Sequence, residues 1–180
     1  MNKCEEIKKE KAELLESNSN LNELIDLDEI TKGYKIFTNI DSLRHEKAFE
    51  FFSKLSESLV KNNNKLLIPL KGIRIMEDNS DSLDLEEGLE WKKGIDILKN
   101  IQENGVLDVR GEETDGHLNN LIQYVFAKHR ISNNLLLLTQ NENLAYDILE
   151  LNKSRTVRGN KIEVYKINGK GNAERFETNS

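Results

Sequence analysis

The sequence has one cysteine and no long apolar run, and each of these shortages excludes a class of protein. Cys4 is the only cysteine, so the chain has no internal disulfide and no cysteine-based zinc site. No apolar run approaches the roughly 20 residues of a membrane span. Residues 1–6 also lack the apolar stretch of a signal peptide. These features predict a cytoplasmic protein that has no membrane partner.

Positive charge is also in short supply. The chain has 26 Lys and Arg against 32 Asp and Glu, which gives a formal net charge of -6. The molecule as a whole therefore repels a phosphate backbone, and contact with nucleic acid requires a local basic patch. The cations that cluster near the end of the chain are Lys153, Arg155, Arg158, Lys161 and Lys166. This stretch is predicted to contact RNA, but a basic turn beside a lysine-protected edge strand explains it equally well.

What the sequence does contain is an alternation of apolar strand patterns with amphipathic helix patterns. Strands are predicted at 34–38, 65–68, 106–109, 135–138 and 161–167, and helices at 46–60, 85–102, 117–129 and 141–151. Helices of this length between strands form right-handed crossovers. We therefore expect a three-layer α/β/α fold with a mostly parallel central sheet of four to five strands. The unbroken apolar run at 135–138 is typical of a central strand that is covered on both faces.

The ends of the chain are predicted to lie outside this α/β domain, which spans residues 33–167. Residues 1–32 carry apolar residues at helical spacing among many charges and are predicted to form a helical extension. The extension is either a solvated helix or an arm that binds a partner, including a second copy in a homodimer. Residues 168–180 are polar and contain glycine, which predicts a flexible tail. Within the domain, 70–76 is predicted as a short helical turn and 77–87 as a solvated acidic loop.

Ligand sites in parallel sheets lie at the carboxyl ends of the strands. The segments at those ends are 38–41, 69–78, 110–117 and 139–143. In this order they resemble the PIN-domain family of nucleases, in which Asp-Thr-Asn, a Pro with a Val-Leu-x-Glu-Leu turn, a helix opening on Asp, and Thr-Asn-Asp surround a metal site. The corresponding stretches here are IFTNIDSL at 36–43, IPLKGIRIM at 68–76, DGHL at 115–118 and LLTQNENL at 137–144. The resemblance covers about residues 34–167.

The resemblance implies a metal site that this chain has largely lost. PIN nucleases need three or four converging carboxylates, because Mg²⁺ and Mn²⁺ prefer charged oxygen ligands. At the corresponding positions the chain has Asn39, Ile75 and Asn141, and Asp115 alone matches the family pattern. The resemblance therefore implies a pseudo-nuclease that has no catalytic residues and needs no cofactor. Asp115 is the only residue that it leaves as a metal ligand.

Three hypotheses about function follow from these residues. The first is a catalytically degenerate PIN-like domain that serves as an RNA-binding or regulatory module, with RNA or a protein as its partner. The second is a Mg²⁺- or Mn²⁺-dependent endoribonuclease that uses a shifted carboxylate cluster of Asp41, Glu77 and Glu142. A shift of one residue at a strand end turns a side chain to the other face, and Asp41 and Glu142 are also suited to helix starts. The third is a structural subunit that associates through the N-terminal helices.

Overall fold

The computed structural model describes residues 24–112, 116–154 and 160–176. Its strands are β1 (Lys35–Thr38), β2 (Leu66–Pro69), β3 (Leu107–Arg110), β4 (Leu135–Leu138), β5 (Ile162–Ile167) and β6 (Ala173–Arg175). Its helices are α1 (Leu27–Gly33), α2 (Ile40–Leu43), α3 (Ala48–Lys61), α4 (Leu70–Ser80), α5 (Leu85–Glu103), α6 (Leu118–His129) and α7 (Glu142–Glu150). A 3-10 turn at Leu151–Lys153 follows α7. None of the helices in the described ranges is long and apolar enough to cross a membrane.

The strands form one sheet in the order β3-β2-β1-β4-β5-β6. Strands β1 to β5 are parallel, and β6 pairs antiparallel with β5. Helices cover both faces, so the predicted three-layer α/β/α fold with a mostly parallel sheet is confirmed. The strand number is six instead of four to five, because β6 had been assigned to a flexible tail.

Strand β4 is central, as its apolar run predicts. It lies between β1 and β5, and its four leucines are 0% exposed. Leu136 and Leu138 belong to one hydrophobic cluster, whereas Leu135 and Leu137 belong to the other. The two clusters lie on opposite faces of the sheet, since side chains alternate along a strand. A strand that is buried on both faces needs apolar side chains at every position.

The two faces of the sheet are covered unequally. Apolar side chains of α1 to α5 form the larger cluster on the first face, with Phe51, Phe52 and Trp91 among its largest members. On the second face the smaller cluster is formed by α6 and α7, together with Phe176 after β6. Phe37 and Phe126 meet there with ring centroids 5.1 Å apart. Two helices cover less of a six-stranded sheet than five do, and part of the second face is left open.

The predicted boundaries of the domain are wrong at both ends. The N-terminal extension was predicted to include residues up to 32, but α1 belongs to the domain because Ile30 is buried in the larger cluster. The side chain of Asp28 also bonds to Ser58 at 2.8 Å and to Lys61 at 2.6 Å, which ties α1 to α3. Residues 1–23, which include the rest of the predicted extension, lie outside the described residues.

The predicted flexible tail is wrong for residues 168–176. Asn168 accepts hydrogen bonds from the backbone of Lys170 and Asn172, and Gly171 takes a φ of +79° in the same turn. The turn leads into β6, and Phe176 beyond it is buried. The turn residues thus connect two strands of a β-hairpin. The polar composition of this segment had instead predicted a flexible tail. Residues 177–180 lie outside the described residues.

The segment predicted as a short turn and acidic loop is mostly helical. Helix α4 continues to Ser80 and buries Met76 completely, and α5 begins at Leu85 after an N-cap at Asp84. The acidic residues between these points occupy the exposed side of the helix ends, where charge is solvated without ending the helix. The loop is therefore limited to residues 81–84.

Helix α5 approaches α2 and α4 closely at Gly94. A Cβ atom on Gly94 would lie 2.9 Å from Cε of Met76 and 3.3 Å from the backbone oxygen of Leu43. We expect Gly94→Ala to lower the free energy of unfolding by about 1–3 kcal/mol, the usual cost of overpacking. Urea denaturation measures the change. Gly33→Ala is the matched control, since a Cβ there meets nothing within 4 Å, and equal losses from both substitutions would contradict the close approach.

Candidate functional site

The strand order places a crevice at the carboxyl ends of β1 and β4. The chain proceeds from β1 to β2 and β3 on one side of β1, whereas β4, β5 and β6 lie on its other side. In open parallel sheets, ligands bind where the strand order reverses in this way. The two segments that meet at the crevice are 39–41, which follows β1, and 139–141, which follows β4. Both were predicted as candidate site segments.

The buried hydroxyl group of Thr139 connects these two segments. The side-chain amide of Asn39 donates to Thr139 Oγ1 at 3.3 Å, and the hydroxyl donates to Asp41 Oδ2 at 2.8 Å. The backbone N–H of Asn141 donates to the same Oγ1 at 3.1 Å. We call Asn39, Asp41, Thr139 and Asn141 the threonine hub. The hub brings together two of the predicted degenerate positions, Asn39 and Asn141, and one of the predicted shifted carboxylates, Asp41.

Both asparagines of the threonine hub serve as helix N-caps. Asn39 Oδ1 accepts from the N–H of Ile40 at 2.9 Å, and Asn141 Oδ1 accepts from the N–H of Leu144 at 3.0 Å. An N-cap of this kind satisfies a backbone donor that the helix leaves unpaired. The two amides therefore have a structural role at the start of α2 and α7.

The carboxylate of Asp41 is enclosed by hydrogen-bond donors. The Thr139 hydroxyl bonds to it at 2.8 Å, and the backbone N–H groups of Gln140, Ser42 and Asn141 also favour its charged form. The sequence predicted that Asp41 caps a helix or turns its side chain to the other face of the sheet. Both predictions are wrong. Asn39 is the cap of α2, and Asp41 lies on the first turn of that helix, where its side chain reaches across to the loop after β4. The side-chain alternation of a strand does not continue into a helical turn.

Burial raises the pKa of Asp41 above its usual range, although the Thr139 hydroxyl and nearby backbone N–H groups offset part of this effect. The folded protein thus holds the Asp41 proton at a pH where the unfolded chain has released it. Over the range between the unfolded and folded pKa, the folded state binds more protons, so the contribution of Asp41 to stability falls as the pH rises.

This linkage predicts a pH-dependent effect of Asp41→Asn. Since the variant cannot ionise at this position, its stability relative to the unmodified protein should improve as the pH rises from about 4 towards 7. Urea denaturation of both proteins across that range measures the difference and cancels the contribution of all other groups. A difference that is independent of pH, or that changes in the opposite direction, would contradict the raised pKa.

The other predicted site residues do not join the threonine hub. Glu77 is exposed on α4 and pairs with Arg74 at 2.7 Å, and Glu142 is exposed in the first turn of α7. Ile75 packs against the larger hydrophobic cluster. Asp115 lies outside the described residues. Across 24–112, 116–154 and 160–176 there is no group of three His, Cys, Asp or Glu residues placed to hold a metal ion.

The predicted basic patch is divided in the structure. Lys153 pairs with Glu150 at 2.7 Å, and Lys161 pairs with the buried carboxylate of Glu163 at 2.6 Å. Arg155 and Arg158 lie outside the described residues. Lys161 precedes β5, at the amino edge of the sheet. Five residues of extended strand, about 17 Å, separate it from Lys166, near the carboxyl edge.

A polar groove beside the threonine hub was missed by the sequence analysis. Its volume is about 750 Å³, and it lies between the first turns of α7 and the β5–β6 hairpin. Its charged and aromatic lining residues are Glu142, Tyr146, Lys166, Lys170, Glu174, Arg175 and Phe176. Gln140, next to the hub, bonds to both the N–H and the carbonyl of Ile167 and thereby fixes the hairpin against β4. The sequence signal for this groove was the Asn-Gly-Lys-Gly turn, which had been assigned to a tail.

Comparison with known proteins does not assign the chain to a family. No protein-family model matches it, and no curated protein matches it either. Any functional assignment must therefore come from the geometry of the threonine hub and the polar groove.

Proposed function

We propose that this chain is a noncatalytic, PIN-like domain that binds single-stranded RNA in the polar groove beside the threonine hub. The observation that carries the proposal is the environment of Asp41. Its carboxylate sits at the switch point of the sheet, where a metal ligand would be expected, but accepts a hydrogen bond from the buried Thr139 hydroxyl at 2.8 Å. A carboxylate that is occupied by donors and whose pKa is raised is a poor ligand for a hard divalent cation.

The neutral side chains of the hub support the same conclusion. Asn39 and Asn141 supply no charge, and each already uses its Oδ1 atom to cap a helix. A site for Mg²⁺ or Mn²⁺ needs several carboxylates to neutralise the ion and the phosphate. The four segments follow the order found in PIN domains. The mostly parallel sheet is the architecture that this resemblance implies. In this proposal the chain has a PIN-like architecture without the charge that cleavage requires.

The polar groove supports RNA as the ligand. Its exposed aromatic ring is Tyr146, and it shares the lining with Lys166, Lys170 and Arg175. Single-stranded RNA is recognised by stacking of bases on aromatic rings and by contacts of cations with the phosphates. Glu142 and Glu174 in the same lining reduce the local positive charge. The groove is therefore suited to weak binding that is sensitive to salt.

A salt titration tests this proposal. Replacing Lys166 and Lys170 by glutamine should weaken the binding of a fluorescently labelled single-stranded RNA. It should also reduce the slope of log K against log salt by about 1.4, because each phosphate contact on a single strand contributes about 0.7. Fluorescence anisotropy measures both quantities. The matched control is Lys92→Gln with Lys99→Gln, which removes two exposed charges from α5. Equal slopes for the two double variants would reject the groove as the RNA site.

The two other hypotheses make different predictions for the same protein. A Mg²⁺- or Mn²⁺-dependent ribonuclease with shifted carboxylates cleaves the RNA when Mn²⁺ is added, and Asp41→Asn abolishes that cleavage. A regulatory or structural module that acts through a protein partner or a homodimer leaves the RNA unbound. An anisotropy and cleavage experiment in the presence and absence of Mn²⁺ separates all three.

A further inference from the structure

The open part of the second sheet face contains an apolar pocket. It has a volume of about 330 Å³ and lies between β1 to β3 and helix α6. This is within the range of pockets that bind small molecules. Its floor includes Phe37 and Leu67 from the sheet, and Leu121 and Val125 from α6 form one wall. The pocket is separate from the polar groove, which lies beyond β4 at the β5–β6 hairpin.

Cations surround this pocket. Lys35 at the start of β1, Arg110 at the end of β3, and Lys128 and His129 at the end of α6 all line it, and no Asp or Glu is among the lining residues that the structure describes. We call it the cation-rimmed pocket. Arg110 is partly neutralised by Asp108, whose Oδ1 lies 2.9 Å from its Nε. In a protein with a formal net charge of -6, this group of cations among the described lining residues is a local reversal of sign.

The pKa of His129 is affected by these cations. Burial lowers the pKa of this imidazole, and the charges of Lys35, Lys128 and Arg110 lower it further. Lys35 lies on β1, Arg110 on β3, and Lys128 precedes His129 on α6. An anion placed among them would counter their charge and favour the protonated imidazole.

We propose that the cation-rimmed pocket binds a small aromatic anion, an aryl carboxylate, with its ring between Leu67 and α6 and its charge at Lys35 and Lys128. The apolar walls exclude a simple inorganic ion as the best ligand, since such an ion buries no apolar surface. The cations in turn favour a charged ligand over a neutral one of equal shape. This site is independent of the proposed RNA binding and goes beyond it.

A matched set of probes tests the proposal. The full chain is titrated with 2-naphthoate, with its neutral counterpart 2-naphthamide and with inorganic phosphate, and binding is followed by calorimetry. We expect 2-naphthoate to bind tightest. The double variant Lys35→Gln and Lys128→Gln should weaken its binding about tenfold, as expected for one exposed and one partly buried charge that solvent screens. The control Lys92→Gln with Lys99→Gln should leave it unchanged. Equal affinity for naphthoate and naphthamide, or equal affinity in both double variants, overturns the proposal.

The imidazole resonances provide a second readout that does not depend on affinity alone. In a proton NMR titration, saturating 2-naphthoate should raise the midpoint of His129. The affinity for 2-naphthoate should correspondingly increase as the pH falls through the His129 transition. If the His129 midpoint does not move while naphthoate binds, the anion lies elsewhere and the assignment of the pocket is wrong.

Discussion

Leu137→Ala is expected to lower the free energy of unfolding by about 2–5 kcal/mol, the cost of a large-to-small change in a packed core. Leu137 is 0% exposed at the centre of the sheet and belongs to the smaller hydrophobic cluster with Phe126 and Ile148. Strands β1 and β5 fix the backbone of β4 on both sides. The site therefore cannot collapse around the missing atoms, and the cavity remains.

Urea denaturation at neutral pH measures this loss. Leu83→Ala is the control, because Leu83 is fully exposed and surface substitutions of this kind change stability by no more than about 0.5 kcal/mol. An effect of Leu137→Ala below about 1 kcal/mol would show that β4 is not the rigid centre of the fold.

The apolar run at 135–138 explains why the architecture could be predicted. Four leucines in a row have no amphipathic period, so the segment must be buried on both faces. The strand at 173–175 could not be predicted in the same way. One of its three residues, Ala173, is buried, and its pairing depends on a turn at Asn168 and on the contact of Arg175 with the buried Glu163 at 3.4 Å. Such contacts join residues that a one-dimensional pattern does not relate.

The position of the candidate site could be predicted from the sequence, but the directions and partners of its side chains could not. The carboxyl ends of parallel strands meet at one edge, so the segments after β1 and β4 were identified from topology alone. The direction of Asp41 was not, because it depends on the helical turn that begins directly after Asn39. The contribution of Thr139 was missed as well. Its hydroxyl looks neutral in the sequence, but its burial makes it the common partner of Asn39 and Asp41.

Adding negative charge at the threonine hub should make the stability of the protein depend on metal. In Asn39→Asp with Asn141→Asp, two new carboxylates would lie near the half-buried Asp41. Asn39 donates its amide hydrogen to Thr139 Oγ1, and an aspartate cannot do so, while the single hydroxyl hydrogen is already given to Asp41. We expect a loss of about 2–4 kcal/mol without metal, from the lost donor and like-charge repulsion. Ile75 is left unchanged because it packs against the core.

Added Mn²⁺ should recover this loss in the double variant, since an ion that binds only the folded state stabilises it by about 2.7 kcal/mol at a hundredfold excess over its Kd. Thermal melts with and without Mn²⁺ measure the recovery. Asn39→Ser with Asn141→Ser is the matched control, because serine preserves an N-cap without adding charge, and its Tm should not respond to Mn²⁺. The unmodified chain should not respond either. If it gains several degrees with Mn²⁺ and cleaves RNA, then Asp41 releases its donors to bind the ion, and the noncatalytic proposal is wrong.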